Sequence, residues 1–91
     1  MNKAELIKKI ADESKVPEGD TKKIIDELIS EIKESLVNGE KVILPNFGTF
    51  VLVKRASKVF VNPRNGQKTN LPERTLPYFK ASPKLKSKLQ D

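Results

Sequence analysis

The segment from Val53 to Leu76 constrains the fold most, because it has the pattern of a long hairpin with little to pack against. At its centre, Asn62 and Pro63 suit the first positions of a tight turn, and Gly66 can adopt the positive φ that closes it. The flanks are extended, basic and poor in large apolar groups. About ten residues on each side, at about 3.3 Å per residue, predict a ribbon roughly 35 Å long. Two strands alone are marginally stable in water, so we expect something outside the chain to order this ribbon.

Charge is divided sharply along the chain. Residues 1–41 contain eight Lys or Arg and ten Asp or Glu, a net charge of −2, whereas residues 42–91 contain ten Lys or Arg and two acids, a net charge of +8. A half-chain with almost no counter-charge is typical of proteins that bind a polyanion. We therefore expect a phosphate backbone as the partner. An acidic membrane is the weaker alternative partner. The remaining alternative is a basic surface that is exposed to solvent and binds no partner.

The length of 91 residues indicates one domain, and an arm of about two dozen residues leaves a small core. The chain has no cysteine to cross-link it, so a second copy is the expected source of the missing apolar burial. There is no apolar run near the roughly 20 residues of a membrane span, and no signal-peptide pattern. We expect a cytoplasmic protein without membrane partners.

The first half has the periodicity of two helices. Asn2, followed three residues later by Glu5, resembles a capping box at the start of the first. A second, longer amphipathic helix is predicted from about Asp20 to the Asn38-Gly39 stop. Its apolar stripe is wide enough to serve both a monomer core and a partner helix, and a wholly intramolecular core is nearly as good an explanation.

The second half has the pattern of strands followed by a short helix. An apolar strand over residues 41–44 and a turn over residues 45–48 precede a second strand that runs into the arm. Pro72 marks an edge or a bulge on the returning third strand, since proline cannot donate to a ladder. Ser82 and Pro83 are typical of an N-cap and the first residue of a final helix.

These elements, in this order, resemble the bacterial HU/IHF histone-like proteins over the whole length of the chain. The resemblance lies in the order and spacing of four features, which are the Phe47-Gly48-Thr49-Phe50 turn, Arg55, the Asn62-Pro63-x-Asn65-Gly66 tip and Pro77-x-Phe79-Lys80. It implies an α+β fold, with a helical base, a three-stranded antiparallel sheet per chain, a long β-hairpin arm and a short C-terminal helix, in an intertwined homodimer. The implied parts of the single domain 1–91 are a helical dimerisation region (1–39), a sheet body (40–52 and 73–81), a β-ribbon arm (53–72) and a C-terminal helix (82–91).

The family also implies a function, which is to bind and bend double-stranded DNA without sequence specificity and to compact the nucleoid. In this family the arms enter the minor groove, and a proline at each tip, here Pro63, intercalates between base pairs. We expect a preference for bent, nicked or flexible DNA, because deforming it costs less. A sequence-specific IHF-like factor is the alternative, although the short segment after the last helix favours the HU branch. A basic RNA-binding protein is a less favoured alternative.

The resemblance and the charge pattern together suggest the contact residues. The expected DNA-binding residues are Arg55, Lys58, Asn62, Pro63, Arg64, Lys68, Arg74, Lys80, Lys84, Lys86 and Lys3. The side chains expected in the dimer core are Phe47, Phe50, Phe79, Ile29, Ile32 and Leu36. The phenylalanines lie among aliphatic residues, which suits a core better than a base-stacking platform.

The chain departs from the family pattern near the arm tip. Val61 stands where the family usually has Arg, and Val59 and Phe60 replace small or basic residues. These three side chains either pack on sugar walls and extend the wedge, or stiffen the hairpin by cross-strand contacts, and we favour stiffening. Asn46 stands where a Gly is usual, and Pro17 where a helix-capping Ser is common.

Catalysis is the alternative from another functional class, and the composition argues against it. The chain has no His and no Cys, which removes the usual general base, the thiol nucleophile and most transition-metal sites. Most carboxylates alternate with Lys on helix surfaces, as solubilising pairs do. We therefore expect no enzyme activity, no cofactor, no metal and no small-molecule substrate.

Overall fold

The computed structural model describes residues 1–90 and contains three helices and five strands within them. The chain forms two compact units, one from Met1 to Ser35 and a second that begins at Leu36. The helices are α1 (Lys3–Ser14), α2 (Glu18–Val37) and α3 (Pro83–Leu89), and the strands are β1 (Val42–Leu44), β2 (Gly48–Arg55), β3 (Lys58–Val61), β4 (Lys68–Leu71) and β5 (Arg74–Ala81).

The predicted cap of α1 is confirmed. Asn2 is the N-cap, and its Oδ1 accepts a hydrogen bond from the Glu5 backbone N–H at 2.8 Å. The Asn2 side-chain amide also donates to the Glu5 carboxylate at 3.3 Å. The first half of a capping box is therefore formed, and it satisfies one N–H group that the helix terminus would leave unpaired. The Glu5 carboxylate contacts the side chain of Asn2 and not its backbone N–H.

Helix α2 begins at Glu18, two residues before the predicted start. The Pro17 carbonyl accepts from both the backbone N–H and the Oγ1 hydroxyl of Thr21, each at 3.0 Å. The first turn is thereby closed without a capping serine. The predicted stop is confirmed, because Gly39 has φ +77° and its N–H donates to the Leu36 carbonyl.

Three antiparallel strands in the order β1-β2-β5 form the sheet. The turn between β1 and β2 passes through Asn46 at φ +67°, a left-handed conformation that Asn adopts more readily than most residues with a Cβ. Gly48 is required at its position, because a Cβ there would come within 2.5 Å of two ring atoms of Phe79. The Phe79 ring packs between the rings of Phe47 and Phe50, at centroid distances of 5.1 and 5.0 Å.

The arm is a separate two-stranded sheet, β3 paired with β4. Strand β2 pairs with β5 as far as Arg55 opposite Arg74, and pairing resumes with Lys58 opposite Leu71. Each arm strand is thus interrupted for two residues, at 56–57 and at 72–73. Pro72, which the sequence predicts to mark an edge or a bulge, lies in the second of these interruptions, where no ladder hydrogen bond is needed from it.

Within residues 1–90, very little apolar surface is buried by one chain. Ile7 and Ala11 on α1 are the buried hydrophobic residues, and no large side chain is fully buried. Many large apolar side chains remain exposed instead. Domains of this size normally bury about 60% of the surface of the unfolded chain, so the single chain lacks the core that its composition would allow.

Candidate nucleic-acid interface

The arm ends in a turn closed by two backbone hydrogen bonds. The Asn62 N–H donates to the Gln67 carbonyl at 2.9 Å, and the Gly66 N–H donates to the Asn62 carbonyl at 2.8 Å. Gly66 has φ +69°, as the sequence predicts for this turn. The backbone around the tip is therefore held in one conformation.

Two side-chain hydrogen bonds tighten the same turn. The Asn62 Oδ1 accepts from the Arg64 N–H, and the Asn65 Oδ1 accepts from the Gln67 N–H, both at 2.9 Å. Such Asx turns hold the residue between donor and acceptor in place. Pro63, which is exposed, lies inside the first of them and is presented at the end of the ribbon.

The cationic residues of the arm are all exposed on its strands and turn. Arg55 and Arg74 lie directly opposite one another, where β2 and β5 stop pairing. Lys68 lies opposite Val61, and Lys58 lies opposite Leu71. Like charges directly across an antiparallel pair are destabilising, which makes the Arg55–Arg74 pair a favourable place for an anion.

The remaining predicted contacts of the second unit lie away from the tip. Lys80 is exposed on β5 opposite Thr49, six residues from Arg74, which is about 20 Å along a strand. Lys84 and Lys86 are exposed on α3, whose N-cap Ser82 accepts from the Leu85 N–H at 3.1 Å. These lysines form a second group of positive charges at the other end of the sheet.

Lys3 belongs to the first unit and is engaged in an ion pair. Its Nζ lies 2.5 Å from Asp26 Oδ1, and the Nζ of Lys22 lies 2.7 Å from Asp26 Oδ2. The hydrogen bond from Lys22, followed by that from Lys3, lowers the pKa of Asp26 from 3.8 to about 2. The Lys3 ammonium is therefore partly neutralised, unlike the arm cations described above.

The side chains predicted for a dimer core are incompletely covered in the single chain. Ile29 is 37% exposed, Phe47 47% and Phe79 36%. Phe50, Ile32 and Leu36 are half-buried. Such partial exposure of large apolar groups leaves surface that a second chain can cover.

Sequence reasoning missed two residues that position others. Asn65 was identified only as part of the tip motif, and its hydrogen bond to Gln67 follows from the tendency of Asn to form Asx turns. Asp26 was not identified at all. The i,i+4 spacing of Lys22 and Asp26 is a local sequence signal for their ion pair. The contact between Lys3 and Asp26 joins two different helices, so no local spacing predicts it.

Comparison with known proteins decides the family. The sequence matches the family described as bacterial DNA-binding protein over residues 1–90. The DNA-binding protein HU of Clostridium pasteurianum is 43% identical over 89 residues, which cover 98% of each chain.

The chain belongs to the HU/IHF family of bacterial DNA-binding proteins.

Both branches of the family and its known fold are represented among the similar proteins. The beta subunit of integration host factor from Histophilus somni is 33% identical, with 98% of this chain and 96% of that protein covered. A cocrystal structure of Anabaena HU with DNA has a TM-score of 0.88 and 28% identity, with 98% and 97% of the two chains covered. The predicted α+β fold is thereby confirmed for the single chain.

Two other features are absent from the described part of the chain. None of the helices in residues 1–90 is both long enough and apolar enough to span a bilayer. In the same residues, no three acidic side chains come together in a group that would hold a metal ion. The candidate interface consists of cationic and amide side chains and one proline.

Proposed function

We propose that the protein is a homodimeric architectural protein that binds and bends double-stranded DNA on the nucleoid, in the bacterial cytoplasm. Arg55, Lys58, Arg64, Lys68 and Arg74 contact the phosphates or groove floor along the arm, and Pro63 is the intercalating wedge. Lys80, Lys84 and Lys86 contact the backbone beside the sheet. The observation that carries this proposal is an exposed cationic ribbon whose tip is held closed around one exposed proline.

Pro63 is suited to the role of a wedge by its rigidity and its apolar ring. The pyrrolidine ring fixes φ and has no side-chain rotamer freedom to lose on insertion. Apolar side chains inserted between base steps unstack them and kink the duplex. The hydrogen bond from the Arg64 N–H to Asn62 Oδ1 holds the turn before DNA arrives, which reduces the entropy lost on binding.

The electrostatics of the arm favour a phosphate partner. The Arg55–Arg74 pair at the base of the arm repels itself in the free chain and is relieved by an anion. Each phosphate that the arm neutralises also releases condensed counterions. Lys3 is proposed as a weaker contact, because DNA would compete for it with Asp26.

A homodimer accounts for the exposed apolar side chains. We propose that Ile29, Ile32, Leu36, Phe47, Phe50 and Phe79 form its core. Obligate dimers bury large, hydrophobic interfaces that resemble a domain core divided in two. The single chain buries only Ile7 and Ala11 among its described hydrophobic residues, so the partner would supply the remaining burial.

Low sequence specificity follows from the groove that the arms would occupy. The minor groove presents nearly the same acceptors for A·T and T·A pairs, so few bases can be distinguished there. Nicked, gapped or flexible DNA should be preferred, because its deformation costs less free energy. Sequence-specific bending is the second candidate, favoured by the 33% identity to an integration host factor subunit.

The decisive experiment compares the bend angle with affinity in Pro63→Ala. Without its wedge, the arm keeps its cations, so we expect the bend angle to fall by about half while affinity falls less than tenfold. Fluorescence energy transfer across a duplex labelled at both ends measures the bend, and titration of the same duplex measures affinity.

Pro83→Ala is the matched control, since Pro83 occupies the first turn of α3, where Ala is tolerated. It should bend DNA like the unmodified protein. Equal bending by Pro63→Ala would remove the wedge from the proposal. A failure of the unmodified protein to bend any duplex would overturn the function itself.

A further inference from the structure

Strand β3 carries three consecutive apolar side chains that are each about half exposed. Val59 is 57% exposed, Phe60 49% and Val61 51%. The strand belongs to the two-stranded arm sheet, which pairs β3 with β4. Exposed apolar groups in an otherwise polar, cationic ribbon call for a separate explanation.

The strand register argues against stiffening as the role of the two valines. Val59 lies opposite Asn70, Phe60 opposite Thr69 and Val61 opposite Lys68. Cross-strand stabilisation by apolar residues depends on aromatic or β-branched partners, and neither valine has one. The two valines therefore gain little by packing within the arm.

Alternation along the strand separates the three residues into two faces. Val59 and Val61 lie on one face of the arm with their cross-strand neighbours Asn70 and Lys68, and Phe60 lies on the other. Val61 is followed two residues later by Pro63, so the valine face leads toward the tip. An apolar strip bordered by a cation and an amide is thus continuous with the proposed wedge.

This composition matches the minor groove of DNA. The groove is about 6 Å wide, and its rims carry the phosphates. Its walls are deoxyribose rings, which lack the 2′-hydroxyl that makes the corresponding RNA surface polar. In such a groove the valine side chains would contact the apolar faces of the sugars, and the Lys68 ammonium would lie beside a phosphate at the rim.

We propose that Val59 and Val61 form a sugar-contacting face that holds the arm in the DNA minor groove by apolar burial. This inference rests on the proposed function, and it adds a contact that releases no counterions. Part of the affinity is then independent of salt, in contrast to an arm that carries Arg at position 61.

The test replaces both valines with threonine, in the double variant Val59→Thr/Val61→Thr. Threonine is β-branched and has a similar shape and strand preference, so the exchange removes apolar character while keeping the strand. Affinity for a nicked duplex should fall at least about tenfold, since the two arms of a dimer together exchange four groove-contacting methyl groups for hydroxyls. The slope of log affinity against log salt should not change, because no phosphate contact is lost.

Phe60→Thr is the matched control from the opposite face. Its affinity should stay within about twofold of that of the unmodified protein, since this side chain does not face the groove in the proposed geometry. Val61→Arg should steepen the salt slope by about 0.9 for each additional phosphate contact. Amide hydrogen exchange at Gly66, whose N–H is bonded within the tip, reports whether the free arm keeps its order.

Three results would overturn the inference while leaving DNA bending intact. The first is an unchanged DNA affinity of the double threonine variant, and the second is an equal loss of affinity in Phe60→Thr. The third is a loss of affinity accompanied by faster amide exchange at Gly66, which would show that the valines stiffen the arm. If the unmodified protein fails to bind the duplex, the proposed function fails first, and the two failures are thereby distinguished.

Discussion

At the scale of single residues, the clearest electrostatic feature is the carboxylate of Asp26 between two lysines. Lys22 and Lys3 each contact one of its oxygens, and together they lower its pKa to about 2. Glu31 shows the opposite effect on the same helix. A hydrogen bond with Glu27, followed by the charge of Glu34, raises the pKa of Glu31 above its usual value.

The pH dependence of stability should differ between the protein and Asp26→Asn. A carboxyl whose folded pKa is lowered contributes stability above its unfolded pKa of 3.8, and this contribution is lost as the pH falls toward 2. We expect the melting temperature of the unmodified protein to fall more steeply between pH 4 and pH 2 than that of Asp26→Asn. Thermal unfolding followed by circular dichroism across this interval measures the difference. Identical profiles would show that the ion pairs are not formed in solution.

At the scale of elements, the arm tip is the most strongly organised part of the ribbon. Four hydrogen bonds close it, and two of them come from the side chains of Asn62 and Asn65. Since the two arm strands are exposed and interrupted at their base, the tip has few other sources of order. Its hydrogen bonds therefore determine how firmly Pro63 is presented.

Asn65→Ala should loosen this tip. The substitution removes the acceptor of the Gln67 N–H, a hydrogen bond with a net contribution of about 1 kcal/mol, so exchange of that amide should accelerate about fivefold. Amide hydrogen exchange followed by NMR measures it. Asn65→Asp keeps the oxygen acceptor and should retain the slow exchange. Fast exchange in both variants would assign the protection to another feature of the turn.

Local signals in the sequence were enough to predict most of the elements. The N-cap at Asn2, the stop at Gly39 and the turn at Gly66 each depend on neighbours within a few residues, and each is formed. Helix α2 begins two residues before the predicted start, because the Pro17 carbonyl already accepts the first helical hydrogen bond, from the Thr21 N–H.

Features that join distant residues were not predictable in the same way. The contact between Lys3 and Asp26 depends on how α1 and α2 pack, and no spacing in the sequence encodes it. The register that places polar residues opposite Val59 and Val61 likewise requires the folded hairpin. This register favours groove contact over stiffening for the two valines.

At the scale of the whole molecule, the exposed apolar groups and the asymmetric charge call for two partners. The proposed partner for the apolar groups is a second copy of the chain. The proposed partner for the net charge of +8 in residues 42–91 is a DNA duplex.

Dilution of the protein tests whether a second copy of the chain is the partner for the apolar groups. If folding is coupled to dimerisation, the melting temperature depends on protein concentration, and a tenfold dilution should lower it by about 3 °C. Differential scanning calorimetry at several concentrations, with sedimentation velocity for the mass, makes the measurement. A folded monomer with a melting temperature independent of concentration would contradict the proposed homodimer.

The most direct test of the central claim is to remove the arm and retain the sheet. Because Arg55 and Arg74 are directly opposite, a two-residue Asn-Gly turn can replace residues 56–73 and close β2 onto β5. The shortened chain should keep its helices and three-stranded sheet. It should no longer bend the duplex. The slope of log affinity against log salt concentration should become shallower by up to about 5, because a dimer loses six arm cations. A shortened protein that bends the duplex with unchanged affinity would contradict the account.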